Sequence, residues 1–369
     1  MTAFPALRSR LDGLAARGRL RSLSPARGHD FASNDYLGLC GSPTLRDAAT
    51  RALLRGVPVG AGGSRLLRGN HPEHEALESE AAAFFGAEAA LYMGGGFQAN
   101  LAIFSALPRP GDLILHDALI HASVHDGMHL SRADTRSFRH SSVTDAEDQA
   151  RTWRRNGGRG RIWIAVESLY SMDGDVAPLA DFATLARDLD AVLVVDEAHA
   201  TGLYGDGRGL SHGITDCPII ALHTCGKALG VSGALITADH TVIDALVTLA
   251  RPFIYATAPS PLDAALVRAA LGALTPGLID AAKARRMLAN RSAADAGLVA
   301  TGSQIIPVII GDDRAAMDLA ASLQADGFDL RAIRPPTVPK GSARLRISVT
   351  GNVDETAIRA LFSRLKGRV

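Results

Sequence analysis

The chain has 369 residues, 39 Lys and Arg against 38 Asp and Glu, 47% hydrophobic and 21% charged residues. That balance excludes a disordered chain and leaves no general electrostatic footprint for nucleic acid or an anionic membrane, so neither partner is expected. The length suits about two domains with buried cores. No apolar run nears the roughly 20 residues that span a bilayer. Arginines interrupt the first twenty residues, so a secretory signal is not expected. Three scattered cysteines (Cys40, Cys217, Cys225) fit neither a disulfide framework nor a paired-cysteine zinc site, and the expected compartment is cytoplasmic.

The predicted elements begin with an amphipathic N-terminal helix carrying Leu7, Leu11 and Leu14. Apolar strands then alternate with helical stretches, the pattern of a mostly parallel sheet in an α/β fold. The candidate strands are Ala89–Met93, Asp112–His116, Thr135–Arg139, Arg161–Glu167, Ala191–Asp196, Pro218–His223 and Gly233–Thr237. His71-Pro72-Glu73-His74 opens a helix through Phe85, and Phe182, Leu185, Ala186 and Leu189 recur at helical spacing. Past about residue 270 the pattern becomes a smaller α+β domain. It has helices over Leu278–Leu298 and Arg314–Asp326, strands at Ile305–Ile310, Phe328–Ile333 and Arg344–Val349, and a last helix capped by Asn352. The expected division is an N-terminal segment 1–40, a large domain 41–270 and a small C-terminal domain 271–369.

Only four basic residues are lysines: Lys227, Lys283, Lys340 and Lys366. Where charge alone matters this sequence uses arginine, whereas lysine can lose its proton and act as a nucleophile. Lys283, Lys340 and Lys366 stand in polar or turn-like surroundings, but Lys227 stands among small residues in Thr224-Cys225-Gly226-Lys227-Ala228-Leu229-Gly230.

Gly60–Gly63 and Gly94–Gly96 could let backbone amides approach an anion, yet neither has a dinucleotide fingerprint and Gly226-Lys227 lacks a P-loop pattern. The second cluster follows a strand and precedes a helix, where a phosphate is physically reasonable. Asp196-Glu197-Ala198-His199 spells a helicase box without its P-loop partner. His121, His125 and His129 would share a helix face, but no carboxylate or cysteine completes a zinc site, and no metal is expected. A strand-end acid at Asp196, His199 three residues on and Lys227 further along suit pyridoxal phosphate chemistry. There a lysine amine binds the cofactor aldehyde and an aspartate keeps the pyridine nitrogen protonated.

At these residues the sequence resembles the α-oxoamine synthases, pyridoxal-phosphate-dependent transferases of fold type I. The matching segments are Ser33-Asn34-Asp35-Tyr36-Leu37-Gly38-Leu39, Gly62-Gly63-Ser64-Arg65, Gly69-Asn70, His121-Ala122-Ser123, Ser171-Met172-Asp173-Gly174-Asp175, Asp196–Gly202 and Thr224-x-Gly226-Lys227. The resemblance implies a mostly parallel seven-stranded central sheet, a smaller C-terminal α+β domain, pyridoxal 5′-phosphate as cofactor and a homodimer with active sites at its interface. It implies that Lys227 holds the cofactor and moves the Cα proton, that Asp196 pairs with the pyridinium, and that His199 and Ser171 serve the ring-oxygen region. His121 would stack on the ring, while Gly96, Phe97, Thr224 and Thr257 would bind phosphate. Asn34 and Arg346 would hold the amino-acid carboxylate, and Arg21 and Thr337 would face the acyl substrate. Ile333-Arg334-Pro335-Pro336-Thr337-Val338-Pro339 is similar to the member that joins L-alanine to a pimeloyl thioester, of coenzyme A or a carrier protein, in biotin biosynthesis. Another member, such as a glycine C-acetyltransferase, or a fold-type-I aminotransferase is the alternative. Cys225, Ala228 and Leu229, the Ser141-Ser142 pair and His125 depart from the family pattern.

Overall fold

The structure, a computed structural model, describes residues 3–368. In chain order the strands are β1 (His29–Asp30), β2 (Ala89–Met93), β3 (Leu113–Asp117), β4 (Asp134–Phe138), β5 (Ile162–Glu167), β6 (Val192–Asp196), β7 (Ile219–Thr224), β8 (Ala234–Ala238), β9 (Ile305–Gly311), β10 (Phe328–Asp329), β11 (Arg331–Ile333) and β12 (Ala343–Ser348). Two compact units emerge: Asn34–Tyr170 with Asp175–Lys283, and Met1–Ser33 with Ser171–Gly174 and Ala284–Val369.

The larger unit holds a seven-stranded sheet in the order β2-β8-β7-β6-β5-β3-β4. Only β8 runs against its neighbours β2 and β7; the other pairings are parallel. β5 and β6 are runs of β-branched and apolar residues because helices cover both of their faces. Their alternation is visible in the packing. Val192 and Val194 enter one core with Leu91, Ile103, Phe104 and Ile236. Leu193 and Val195 enter the other with Phe138, Trp153, Ile164 and Phe182. The helix Pro72–Phe85 starts where Pro72 presets the first turn and the His71 ring accepts from Glu73 N–H; it stops at Gly86, whose φ is 74°. Six strands therefore point the same way, and the loops after β2, β3, β5, β6 and β7 meet at one edge of the sheet.

In the smaller unit the antiparallel sheet β11-β12-β9 and the short β1–β10 pair carry a core of Phe31, Leu323, Phe328, Ile347, Leu361 and Phe362. The single strand expected at Phe328–Ile333 is two, because Phe328 and Asp329 pair with β1 whereas Arg331–Ile333 pair with β12. The last helix is Glu355–Leu365 and its cap is Asp354, whose carboxylate accepts from Ala357 N–H at 2.8 Å. Asn352 does not cap it; its amide donates to Asp30 instead. The helix Pro5–Ala16 buries none of its residues. Among the described residues, no single helix is long and apolar enough to cross a membrane.

Candidate active site

Asp196 ends β6 at the sheet edge and is buried. Its Oδ1 accepts from Ala198 N–H at 3.0 Å and its Oδ2 from Asn100 Nδ2 at 2.8 Å, so both carboxylate oxygens are oriented. Asn100 is itself buried on the helix Gly96–Ala106, and the same nitrogen lies 3.0 Å from Ser123 Oγ. Ser123 Oγ is 2.7 Å from His121 Nδ1. Hydrogen bonds thus connect the strand-end acid to the histidine expected to stack on the cofactor.

Lys227 lies in the loop between β7 and β8, half-buried, with Nζ 2.8 Å from His199 Nε2. The loop is tightened by Gly230 N–H to Lys227 O and Val231 N–H to Cys225 O. Gly230 has φ 68°, and a Cβ there would collide with the backbone of Cys40, so only glycine closes this turn. His199 Nδ1 is 2.7 Å from Tyr36 Oη, which donates to Asn34 Oδ1 at 2.9 Å. With the tyrosine proton given to Asn34, His199 Nδ1 donates to the phenol and His199 Nε2 accepts from Lys227. Lys283, Lys340 and Lys366 are exposed.

Behind β2, Gly95 precedes the helix Gly96–Ala106, so the Gly96 and Phe97 amides belong to a helix N-terminus. A Cβ on Gly96 would sit 3.4 Å from Thr224 Oγ1, which places the threonine hydroxyl beside that terminus. Thr257 is exposed in a loop held by Ala258 N–H to Gly63 O. His121 caps the helix Ala122–Leu130 and does not lie within it, whereas His125 and His129 do. Among the described residues no group of three His, Cys, Asp or Glu could hold a metal ion.

In the smaller unit Arg346 donates from Nε to Ser171 O, and from Nη1 to Ser348 Oγ at 2.8 Å. Arg344 pairs with Asp173. Arg21 Nη2 lies 3.4 Å from Thr337 Oγ1, so the two residues expected at the acyl chain meet. Thr337 is exposed on a loop beyond β11, as its three prolines predict.

The sequence reading assigned no role to Asn100, Asp117 or His140, nor to Tyr36 and Ser123, although these last two lie in segments that match the family. Asn100 was detectable as the one amide buried in an otherwise apolar helix face. His140 is bracketed by Asp117 at 2.9 Å and Asp175 at 2.7 Å. Hydrogen bonds to Asp117 and then Asp175 push its imidazole up to about 10, against burial. Burial would raise Asp117, but hydrogen bonds from His140 and from the amides of Ser141 and Leu119 outweigh it and hold the carboxyl low. His223, packed against Phe85 and bonded to Thr201, is pushed down to about 3 by burial.

Comparison with known proteins identifies the family. Residues 27–365 match the family described as aminotransferase class I and II. A putative 8-amino-7-oxononanoate synthase of Bacillus licheniformis is 41% identical over 93% of this chain and 92% of its own. The 8-amino-7-oxononanoate synthase of Chromobacterium violaceum is 40% identical over 90% of this chain and 87% of its own. Among solved structures, Sphingomonas wittichii serine palmitoyltransferase superposes with a TM-score of 0.89 at 27% identity, covering 100% of this chain and 97% of that one. The Francisella tularensis 8-amino-7-oxononanoate synthase superposes with a TM-score of 0.77 at 26% identity, covering 92% and 97%. This chain belongs to the class I and II aminotransferase family, in the branch of the 8-amino-7-oxononanoate synthases.

Proposed function

We propose that the protein condenses L-alanine with a pimeloyl thioester, releasing carbon dioxide and the carrier thiol, to give 8-amino-7-oxononanoate for biotin biosynthesis. It is a pyridoxal-phosphate-dependent acyltransferase. The observation that carries this reading is the 2.8 Å contact of Lys227 with His199 at the sheet edge that also presents Asp196. Relatives bearing that synthase name match about nine-tenths of the chain.

The residues fit the cofactor. A half-buried amine, a carboxylate with both oxygens fixed, and helix N-terminal amides beside a threonine hydroxyl form a donor set suited to an aldehyde, a pyridine nitrogen and a phosphate. Bound pyridoxal phosphate supplies an electron-accepting ring that makes the alanine Cα–H acidic. Lys227 Nζ would bind the aldehyde and move the proton at alanine Cα. Asp196 would hold the proton on the pyridine nitrogen. His199, tied to Tyr36, orients the Lys227 amine and would serve the ring oxygen together with Ser171. His121 would stack on the ring. The Gly96 and Phe97 amides and the Thr224 hydroxyl would take the phosphate, with Thr257 reaching a neighbouring subunit. Asn34 and Arg346 would hold the alanine carboxylate, and Arg21 and Thr337 the acyl chain.

The working assembly in this proposal is a cytoplasmic homodimer. Exposed apolar side chains support the dimer: Leu54 at 83%, Leu67 at 82% and Tyr255 at 72%. Its three cysteines are unpaired, in keeping with a reducing compartment. Purified protein given pyridoxal phosphate, pimeloyl thioester and L-alanine should form a product with the mass of 8-amino-7-oxononanoate. Turnover only with glycine and an acetyl thioester, or release of a keto acid from alanine, would overturn the assignment.

A further inference from the structure

The hydrogen-bond chain between Asp196 and His121 has a direction that can be read from its donors. The atom 2.8 Å from the Asp196 Oδ2 acceptor must be the NH₂ end of Asn100, since the amide oxygen would oppose the carboxylate. That nitrogen carries two protons, and its second target is Ser123 Oγ at 3.0 Å. Ser123 Oγ therefore accepts from Asn100 and directs its own proton to His121 Nδ1, 2.7 Å away. The Ser123 backbone N–H points at the same imidazole nitrogen, at 3.3 Å, because His121 caps the helix that follows. A backbone amide cannot rotate to offer an acceptor instead. With a hydroxyl and an amide both donating to it, Nδ1 has no room for a proton of its own.

We infer that Asn100 and Ser123 are positioning residues that fix His121 as a neutral imidazole with its proton on Nε2, in a one-way relay anchored at Asp196. This inference rests on the site reading above, in which His121 lies against the cofactor ring. The surroundings act in the same sense. Desolvation lowers the His121 imidazole first, the Lys227 and His125 charges lower it further, and Asp196 alone opposes them. A second fixed positive charge beside Lys227 would oppose binding of a cationic pyridinium, and the relay keeps His121 from becoming one. It also leaves Nε2–H as a directed donor. Asn100 donates to Asp196 and to Ser123, and Ser123 alone reaches His121.

The test is tautomer-resolved nitrogen NMR on the purified full chain labelled at histidine, recorded with pyridoxal phosphate and without it. His121 is assigned from the signal lost in His121→Gln. The wild-type spectrum alone decides the tautomer. A neutral Nε2–H pattern across neutral pH is expected; an Nδ1–H pattern or a doubly protonated ring would overturn the inference. Ser123→Ala removes the hydroxyl donor and should raise the pH midpoint of His121 by roughly 0.5–1, the effect of one lost hydrogen bond. Ser123→Thr, which keeps the hydroxyl, should restore the wild-type midpoint. A midpoint unmoved by Ser123→Ala would remove Ser123 from the relay and overturn it. Should the protein take up no pyridoxal phosphate, the functional proposal fails while the tautomer measurement still stands or falls by itself.

Discussion

Lys227 Nζ and His199 Nε2 lie 2.8 Å apart, and the imidazole between Lys227 and Tyr36 gives the amine a fixed hydrogen-bond partner. A flexible four-carbon side chain is thereby held at one position over the sheet edge, where geometry counts most for a nucleophile. Purified protein reacted with pyridoxal phosphate and borohydride should carry the label on Lys227, read by peptide mapping. Lys227→Ala should lose roughly 10²–10⁴-fold in turnover, the usual contribution of a positioned proton-transfer group. Label recovered on Lys283, Lys340 or Lys366 would sink the assignment.

Asp196 is a more demanding case, because it acts by charge alone. Asp196→Asn is nearly isosteric, and Asn100 can still donate to the remaining amide oxygen, so the fold should persist. Exchange of the alanine Cα proton with deuterated solvent should slow by about 10²–10³-fold, the scale of losing one preorganised electrostatic partner. Wild-type exchange in this variant, followed by proton NMR, would rule out the electron-sink role.

His140 gives a pH dependence whose sign follows from its neighbours. Asp117 and Asp175 raise its imidazole from 6.5 to about 10 in the folded chain. A raised folded value means that the stabilisation is fully present below about 6.5 and is lost as pH climbs through about 10. The Tm gap between wild type and His140→Gln should therefore be widest just below about pH 6.5, smaller already at neutral pH, and should close toward about pH 10. A gap independent of pH would show that His140 acts by packing against Tyr170, whose ring meets it edge to face, and not by charge.

These residues also mark what a single sequence reveals. The seven central strands lie within about one residue of their expected positions; the inner ones do so because strands buried on both faces are apolar runs, whereas β4, Asp-Thr-Arg-Ser-Phe, is a mostly exposed edge strand. Asp196 was legible as a carboxylate at the end of such an apolar run, whereas Lys227 stood out as one of four lysines and the one set among small residues. Asn100 and His140 were not, since their partners lie 96 and 23 or 35 residues away and only folding brings them together. The capping error at Asn352 is of the same kind. Either Asn352 or Asp354 suits a cap by type, and the distant Asp30 draws the asparagine away.

The contact between Arg21 and Thr337 bears on the acyl substrate. Arg21 Nη2 reaches Thr337 Oγ1 at 3.4 Å, a long and exposed hydrogen bond that a substrate oxygen could replace at little cost. The threonine sits after Pro335 and Pro336 and before Pro339, so its backbone is restrained and its hydroxyl has a preset position. Thr337→Val keeps the shape and removes the hydroxyl. One hydrogen bond contributes about 0.5–1.5 kcal/mol, so the KM for the pimeloyl thioester should rise roughly 2- to 13-fold while the alanine KM stays put. Arg21→Gln, which retains a donor but no charge, should raise the thioester KM in the same direction. It should do so more strongly at low salt, because an exposed charge is screened as ionic strength rises. If Thr337→Val weakened both substrates equally, or neither, the loop would be a rigid connector and the acyl chain would have to be read elsewhere.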